Sequence, residues 1–118
     1  MRIGILGSPY SNHFSKYIQH LVKKLENEHV KLIVEENFNL FLKKTIRFKK
    51  TVSTFKTSEE LRNNADFLLS IGGDGTLLKA ATYIKDSDIP ILGINTGRLG
   101  FISSISTEQI DDSINDLL

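Results

Sequence analysis

The sequence predicts one α/β domain, with an open, mostly parallel sheet and helices on both faces of that sheet. Short apolar runs alternate with segments whose apolar residues recur at helical spacing, which is the pattern of successive strand–helix–strand units. The apolar run at 67–71 does not alternate with polar residues, as expected for a strand buried on both faces of a parallel sheet. A length of 118 residues allows one such domain.

The composition argues against several other classes of protein. Hydrophobic residues make up 40% of the chain and charged residues 25%, which is ordinary for a globular domain. A net charge of +1 argues against nucleic acid or an anionic membrane surface as the main partner. The chain has no cysteine, and no apolar stretch approaches the roughly 20 residues of a membrane span. We therefore expect a cytoplasmic protein without a disulfide framework or a thiolate metal site.

The first third of the chain predicts a β-α-β unit. Residues 2–7 read as a first, central strand that ends in a Gly-Ser-Pro turn. A helix should follow, with Ser11 or Asn12 as its N-cap, because apolar residues recur on one face. That stripe consists of Phe14, Tyr17, Ile18, Leu21, Val22 and Leu25. The β-branched run at 30–34 predicts a second strand, parallel to the first through a right-handed crossover.

The segment 37–57 has a less regular pattern. Its apolar residues indicate a short helix, and its cations form a basic run that we expect to be a solvated face; attraction of a phosphate-bearing ligand is the alternative. The run consists of Lys43, Lys44, Arg47, Lys49, Lys50 and Lys56. Residues 58–61 indicate a short helix capped by Ser58. His13 and His20 lie off the apolar stripe of the first helix and are expected in solvent.

A glycine turn with one carboxylate follows the buried strand at 67–71. It reads Gly-Gly-Asp-Gly-Thr at 72–76 and continues into a helix-forming segment. Glycine allows another molecule to lie against bare backbone, and a helix N-terminus attracts anions. An Asp-Gly pair also fits a β-hairpin. Helical spacing decides against the hairpin, since the apolar residues after the turn are Leu77, Leu78, Ala81 and Ile84.

A second glycine-rich loop, Asn-Thr-Gly-Arg-Leu-Gly-Phe at 95–101, follows another apolar run at 91–94. In open α/β sheets ligands bind at the carboxyl ends of the strands, so both loops should face one crevice. Ser106-Thr107-Glu108-Gln109 then forms a capping box for a C-terminal helix, with Ile110, Ile114 and Leu117 on one face.

These two loops, about twenty residues apart, resemble the N-terminal domain of bacterial NAD kinases. Diacylglycerol and sphingosine kinases also carry GGDGT, but they lack a loop like NTGRLGF at this spacing. The resemblance covers nearly the whole chain and implies a Rossmann-like fold. It also implies an enzyme that transfers the γ-phosphoryl group of ATP, with a divalent cation such as Mg²⁺, to the 2′-hydroxyl of the adenosine ribose of NAD.

Carried over residue by residue, the resemblance makes Asp74 the catalytic carboxylate that accepts the 2′-hydroxyl proton. It implies a nucleotide lined by Gly73, Gly75, Thr76 and Leu78, with Lys79 reaching toward it and Phe101 against the adenine. Asn95 and Arg98 complete the expected binding residues, since a guanidinium beside a glycine turn suits a phosphate. No protein residue is assigned to a metal.

A structural role stays open for each of these side chains. Asp74 also fits a cap of the following helix. Leu78 and Phe101 also fit the core, and Asn95 also fits a loop backbone contact. Lys79 and Arg98 also fit ordinary exposed positions. Two other functions stay open as well: a lipid kinase of the diacylglycerol kinase type, and a nucleotide-binding module without catalysis.

One departure from the family pattern concerns the end of the chain. NAD kinases continue into a mostly β C-terminal domain that carries an Asn-Glu or Asn-Asp motif. Residues 102–118 contain nothing that corresponds to this domain, since their one Asn-Asp pair, Asn115-Asp116, falls within the predicted C-terminal helix. We therefore expect residues 1–118 to be an isolated N-terminal domain that has negligible kinase activity alone, and the full-length enzyme to be a homo-oligomer.

Overall fold

The computed structural model describes residues 1–96, 111–112 and 114–116. In order, these contain β1 (Arg2–Gly7), a 3-10 helix (Asn12–Phe14), α1 (Ser15–Asn27), β2 (Lys31–Glu35), α2 (Glu36–Leu42), β3 (Ser53–Phe55), α3 (Ser58–Asn64), β4 (Phe67–Gly72), α4 (Asp74–Ile84) and β5 (Ile91–Asn95). Residues 111–112 and 114–116 are helical, and Ile114 lies in the core, whereas the predicted capping box lies outside the described residues.

The five strands form one sheet in the order β3-β2-β1-β4-β5. Every pairing in it is parallel. This confirms the predicted parallel sheet, with β1 at its centre. All six residues of β4 are buried, as the unbroken apolar run predicts for a strand covered on both faces.

Helices cover both faces of the sheet, as predicted. On one face α1 and α2 pack against a cluster of buried residues that includes Ile5, Val34 and Leu69. On the other face α3 and α4 contribute Leu61 and Ala80 to a second cluster. Of the predicted α1 stripe, every member except the half-buried Tyr17 is buried.

The strand β3 was missed, and the predicted cap of α3 is wrong. β3 is three residues long at the sheet edge, too short for an apolar pattern. Thr57 rather than Ser58 caps α3, since its hydroxyl accepts from the N–H of Glu60 at 3.1 Å. Ser11 precedes the 3-10 helix without a side-chain capping bond.

The helix predicted after the glycine turn is confirmed as α4, but its leucines do not face the core. Thr76 and Ala80 are the buried residues of this helix, whereas Leu77 and Leu78 are 43% and 71% exposed. Small residues face the sheet because α4 lies close against it at Gly72. Helical periodicity therefore identified the helix but not the side that faces the core.

The basic run includes a segment held by a buried carboxylate at the end of α1. Glu26 accepts hydrogen bonds from the N–H groups of Lys49 and Lys50 at 2.8 and 3.0 Å. Since α1 runs from the carboxyl edge of the sheet back to the amino edge, these lysines lie away from the glycine turn.

His20 was expected in solvent, but its Nε2 lies 2.7 Å from a carboxylate oxygen of Asp111. Within the described part of the chain, no helix combines the length and the apolarity needed to cross a bilayer.

Candidate functional site

The glycine turn and the described start of the second loop lie side by side at the carboxyl edge of the sheet. Gly72, the last residue of β4, pairs in register with Asn95, the last residue of β5. The N–H of Thr96 then donates to the carbonyl oxygen of Gly72 at 3.0 Å. Asp74 begins α4 immediately after the turn. The strand–turn–helix order is therefore the predicted one, and the hairpin alternative is excluded.

A crevice of about 210 Å³ opens beside this turn, between the start of α4 and the ends of β4 and β5. Asp74 is the one carboxylate among the described residues that line it. The other lining residues are Ser70, Gly72, Gly73, Leu77, Gly93, Ile94 and Asn95. Two of the expected binding residues, Gly73 and Asn95, thus lie with Asp74 in one cavity.

The fold requires glycine at one of the three glycine positions of the turn but not at the other two. A Cβ on Gly72 would lie within 2.4 Å of Thr76 Oγ1, and its φ is +156°, so packing and backbone both require glycine there. A Cβ on Gly73 or Gly75 would meet no atom within 4 Å. Packing against the protein does not require glycine at these two positions. Space beside their backbone is what a phosphate-bearing ligand needs for close approach.

The first turn of α4 offers positive electrostatic potential beside this open backbone. Its N-cap residue is Gly73, so no side chain at that position covers the helix N–H groups. Unpaired N–H groups and the helix dipole attract anions at such an end. Asp74 is exposed at the same end, so one carboxylate stands beside a site that favours phosphate.

The remaining expected site residues fall into three groups. Leu78 and Lys79 are exposed on α4, which excludes the core alternative for Leu78, and neither lines the crevice. Thr76 is buried, and its hydroxyl is hydrogen-bonded to the hydroxyl of Ser8. Arg98 and Phe101 lie outside the described residues.

Sequence reasoning missed several residues of the crevice and its surroundings. Ser70, Leu77 and Gly93 line the cavity, and Ser8 holds the first turn of α4 from the end of β1. Two of these residues could have been found from the alternation of side chains along a strand. Ser70 and Gly93 are register partners on neighbouring strands, and each lies two residues before the end of its strand, on the same face as that last residue. Ser8 was also recognisable, because the end of a central strand lies at the edge where the ligand is expected.

Comparison with known proteins identifies the family. Residues 3–118 match the ATP-NAD kinase N-terminal domain. The chain is 42% identical over 118 residues to the NAD kinase of Christiangramia forsetii and 39% identical over 117 residues to that of Bacteroides fragilis strain YCH46. These alignments cover 100% and 99% of this chain but 40% of each relative. The chain thus spans less than half the length of the curated relatives it matches.

A solved structure carries the same fold. Yeast NADH kinase, crystallised in complex with NADH, superposes with a TM-score of 0.73 at 18% identity. The superposition covers 98% of this chain and 37% of the yeast chain. The parallel sheet, the glycine turn at its carboxyl edge and the match over residues 3–118 together show that this chain belongs to the ATP-NAD kinase N-terminal domain family.

Proposed function

We propose that this chain is the carboxylate-bearing domain of a NAD kinase, whose complete form transfers the γ-phosphoryl group of ATP to the 2′-hydroxyl of the adenosine ribose of NAD. The observation that carries this proposal is the position of Asp74. It is the one carboxylate among the described lining residues of the crevice, and it begins a helix after a glycine turn. The relatives that carry the name NAD kinase support the choice of substrate.

In this reaction Asp74 acts as the general base. Its carboxylate orients the ribose 2′-hydroxyl and takes the proton as the new O–P bond forms. The carboxylate need not deprotonate the hydroxyl beforehand, because the hydroxyl proton becomes acidic only as attack proceeds. Asp74 is exposed and lines the crevice, so a nucleotide that enters the crevice can reach it.

The backbone around Asp74 binds and orients phosphate. The N-terminal N–H groups of α4 stabilise negative charge, and the absent side chains of Gly73 and Gly75 leave room for it. In phosphoryl transfer the protein mainly positions groups and stabilises charge, so such a surface contributes directly to the rate.

A divalent cation such as Mg²⁺ fits this site only together with the nucleotide. No cluster of three His, Cys, Asp or Glu side chains that could hold a metal occurs among the described residues. Mg²⁺ commonly uses one or two carboxylates and the substrate phosphates, and here Ser70, Asp74 and Asn95 are the described lining residues that carry a side-chain oxygen. Bound in this way, the cation would neutralise phosphate charge.

The remaining assignments belong to the same proposal. Lys79 reaches toward the ligand and Arg98 binds phosphate. Leu78 lines the nucleotide, and Phe101 lies against the adenine. The 71% exposure of Leu78 supports its role, since a contact residue must be accessible. We further propose that the enzyme is cytoplasmic and homo-oligomeric, with nucleotides rather than nucleic acid or membrane as its partners.

The proposal is tested on the full product of the reading frame that encodes this chain. Purified protein is given ATP, Mg²⁺ and NAD, and NADP is measured by a coupled dehydrogenase assay; diacylglycerol replaces NAD in a parallel reaction. We expect NADP formation, no lipid phosphorylation, and a loss in kcat of about 10²-fold or more in Asp74→Asn with KM changed little.

Asp86→Asn is the matched control, because it removes one exposed carboxylate after the end of α4. It should retain wild-type turnover. Full turnover by Asp74→Asn would remove Asp74 from the mechanism, and nucleotide binding without any phosphoryl transfer by the wild type would favour a non-catalytic module instead.

A further inference from the structure

The side chains of Ser8 and Thr76 join the end of the central strand to the first turn of α4. Their hydroxyl groups are hydrogen-bonded across a separation of 68 residues. Ser8 is itself fixed, because its N–H donates to the carbonyl oxygen of Ile71 on β4 at 3.0 Å. Thr76 is only 6% exposed. The contact therefore links two rigid parts of the fold rather than two mobile surface groups.

Thr76 is held from a second side by Gly72. A Cβ added to Gly72 would lie 2.4 Å from Thr76 Oγ1 and 2.9 Å from Thr76 Cβ, so no atom fits between the turn and this side chain. The first turn of α4 is thus fixed against the ends of both β1 and β4. The strand order reverses between these two neighbours, because β2 and β3 lie on one side of β1 whereas β4 and β5 lie on the other.

The same turn carries Asp74 on its other side. Successive residues of an α-helix are about 100° apart, so Asp74 lies about 200° around the axis from Thr76. Thr76 faces the sheet and Asp74 is exposed toward the crevice. A rotation or tilt of the turn that releases Thr76 must therefore displace the carboxylate.

Backbone hydrogen bonding at this end of the helix does not by itself hold it against the sheet. Gly73 supplies no capping side chain, and the first intrahelical bond, from the N–H of Leu77 to the carbonyl oxygen of Gly73, is 3.2 Å long. That bond fixes the pitch of the turn but leaves its rotation against the sheet to side-chain contacts. The hydroxyl pair supplies such a contact two residues along the helix from Asp74.

We propose that Ser8 is a positioning residue for phosphoryl transfer, which acts by holding Thr76 and thereby fixing the orientation of the Asp74 carboxylate toward the ribose hydroxyl. This role rests on the proposed function for its catalytic consequence. Misplacement of a reacting group by about 1 Å can cost 10²-fold in rate, so a single hydroxyl contact beside the base has a measurable effect.

Kinetics of the full-length enzyme test the role. We expect Ser8→Ala and Thr76→Val each to lower kcat by about 10-fold or more with KM for NAD within about twofold, and Thr76→Ser, which keeps the hydroxyl, to restore most of the rate. The double variant Ser8→Ala/Thr76→Val should be no slower than the slower single variant, because both substitutions break one contact. Wild-type kcat in Ser8→Ala, or strictly additive losses, would overturn the role.

Thr57→Ala is the matched control, since it also removes a hydrogen-bonded side-chain hydroxyl but at the start of α3, where Thr57 bonds to Glu60. It should lose stability without losing kcat. If it loses as much kcat as Ser8→Ala, the effect comes from general destabilisation and the role is overturned.

A second measurement separates failure of this role from failure of the proposed function. Amide hydrogen exchange of Leu77 in the 118-residue chain reports opening of the first turn of α4 whether or not the protein is a kinase. We expect Ser8→Ala to speed this exchange by about 10-fold relative to amides of α1. Unchanged exchange overturns the role even if NADP is formed. Faster exchange in a protein that makes no NADP shows that the Ser8–Thr76 contact holds the turn, and it rejects the proposed function.

Discussion

The N–H of Thr96 donates a hydrogen bond to the carbonyl oxygen of Gly72 across 3.0 Å. This bond continues the pairing of β4 and β5 past the last strand residues, so the chain that leaves β5 is tied to the turn directly before Asp74. The two glycine loops therefore share a hydrogen bond where they begin. A change in the turn at Gly72 is transmitted to both sides of the crevice.

Gly72→Ala should destabilise the fold. Its methyl group would lie 2.4 Å from Thr76 Oγ1, and the residue has a φ of +156°, so the first turn of α4 must move. We expect a loss of about 2 kcal/mol in the free energy of unfolding, measured by urea denaturation of the 118-residue chain. Gly73→Ala is the control: its methyl group meets open space, and stability should stay within about 0.5 kcal/mol of wild type. Equal stability of the two variants would contradict the packing role of Gly72.

Gly75→Ala should separate stability from binding. Gly75 lies within α4, and a Cβ there meets no atom within 4 Å, so alanine should stabilise the helix by about 0.5 kcal/mol. Under the proposed function the same methyl group occupies space that the nucleotide needs. We expect KM for the nucleotide in the full-length enzyme to rise about 10-fold, equivalent to about 1.4 kcal/mol of binding. A stabilised variant with unchanged KM would show that no ligand approaches this backbone.

The architecture could be predicted because strong local patterns determine it. The unbroken apolar run of β4 and the stripe of α1 each favour one structural interpretation. The glycine turn between a strand and a helix predicts Asp74 at the carboxyl edge of the sheet, where the structure has it. The buried face of α4 could not be predicted, because there the close approach to Gly72 selects small side chains over large ones. The position of Ser8 at the end of the central strand was recognisable, but its bond to Thr76 was not, since the two residues are 68 apart and no local pattern connects them.

Removing the cap of α3 should cost more than removing the hydroxyl next to it. Thr57 accepts the N–H of Glu60 at 3.1 Å, so Thr57→Ala should lower the free energy of unfolding by about 1 kcal/mol. Ser58→Ala is the matched control, because Ser58 is the first helical residue and its side chain is not the cap. Thermal or urea denaturation of both variants decides the assignment, and a larger loss in Ser58→Ala would restore the cap expected from the sequence.

The pair Arg2 and Asp66 should make stability depend on pH in the acidic range. The Asp66 carboxylate accepts a hydrogen bond from the guanidinium group of Arg2 at 3.1 Å and another from the backbone N–H of Arg2 at 2.9 Å. The hydrogen bond from the Arg2 side chain, followed by that from its backbone N–H, holds the pKa of Asp66 below its ordinary value of 3.8. Because the folded pKa is depressed, this contribution is fully present above the ordinary pKa and is lost as the pH falls through the lowered folded value.

Asp66→Asn tests this contribution by urea denaturation at a series of pH values from neutral to strongly acidic. The variant should be less stable than wild type at neutral pH, and the difference should shrink as the pH falls below 3.8, because the wild-type carboxylate then becomes protonated. The effect should be small and should diminish further in high salt, since both side chains are about half exposed. Asp86→Asn, at an exposed position after α4, is the control. The difference in the free energy of unfolding between wild type and Asp66→Asn could instead stay constant across the acidic range. In that case the charge of Asp66 contributes nothing, and only its shape or its neutral hydrogen bonds matter.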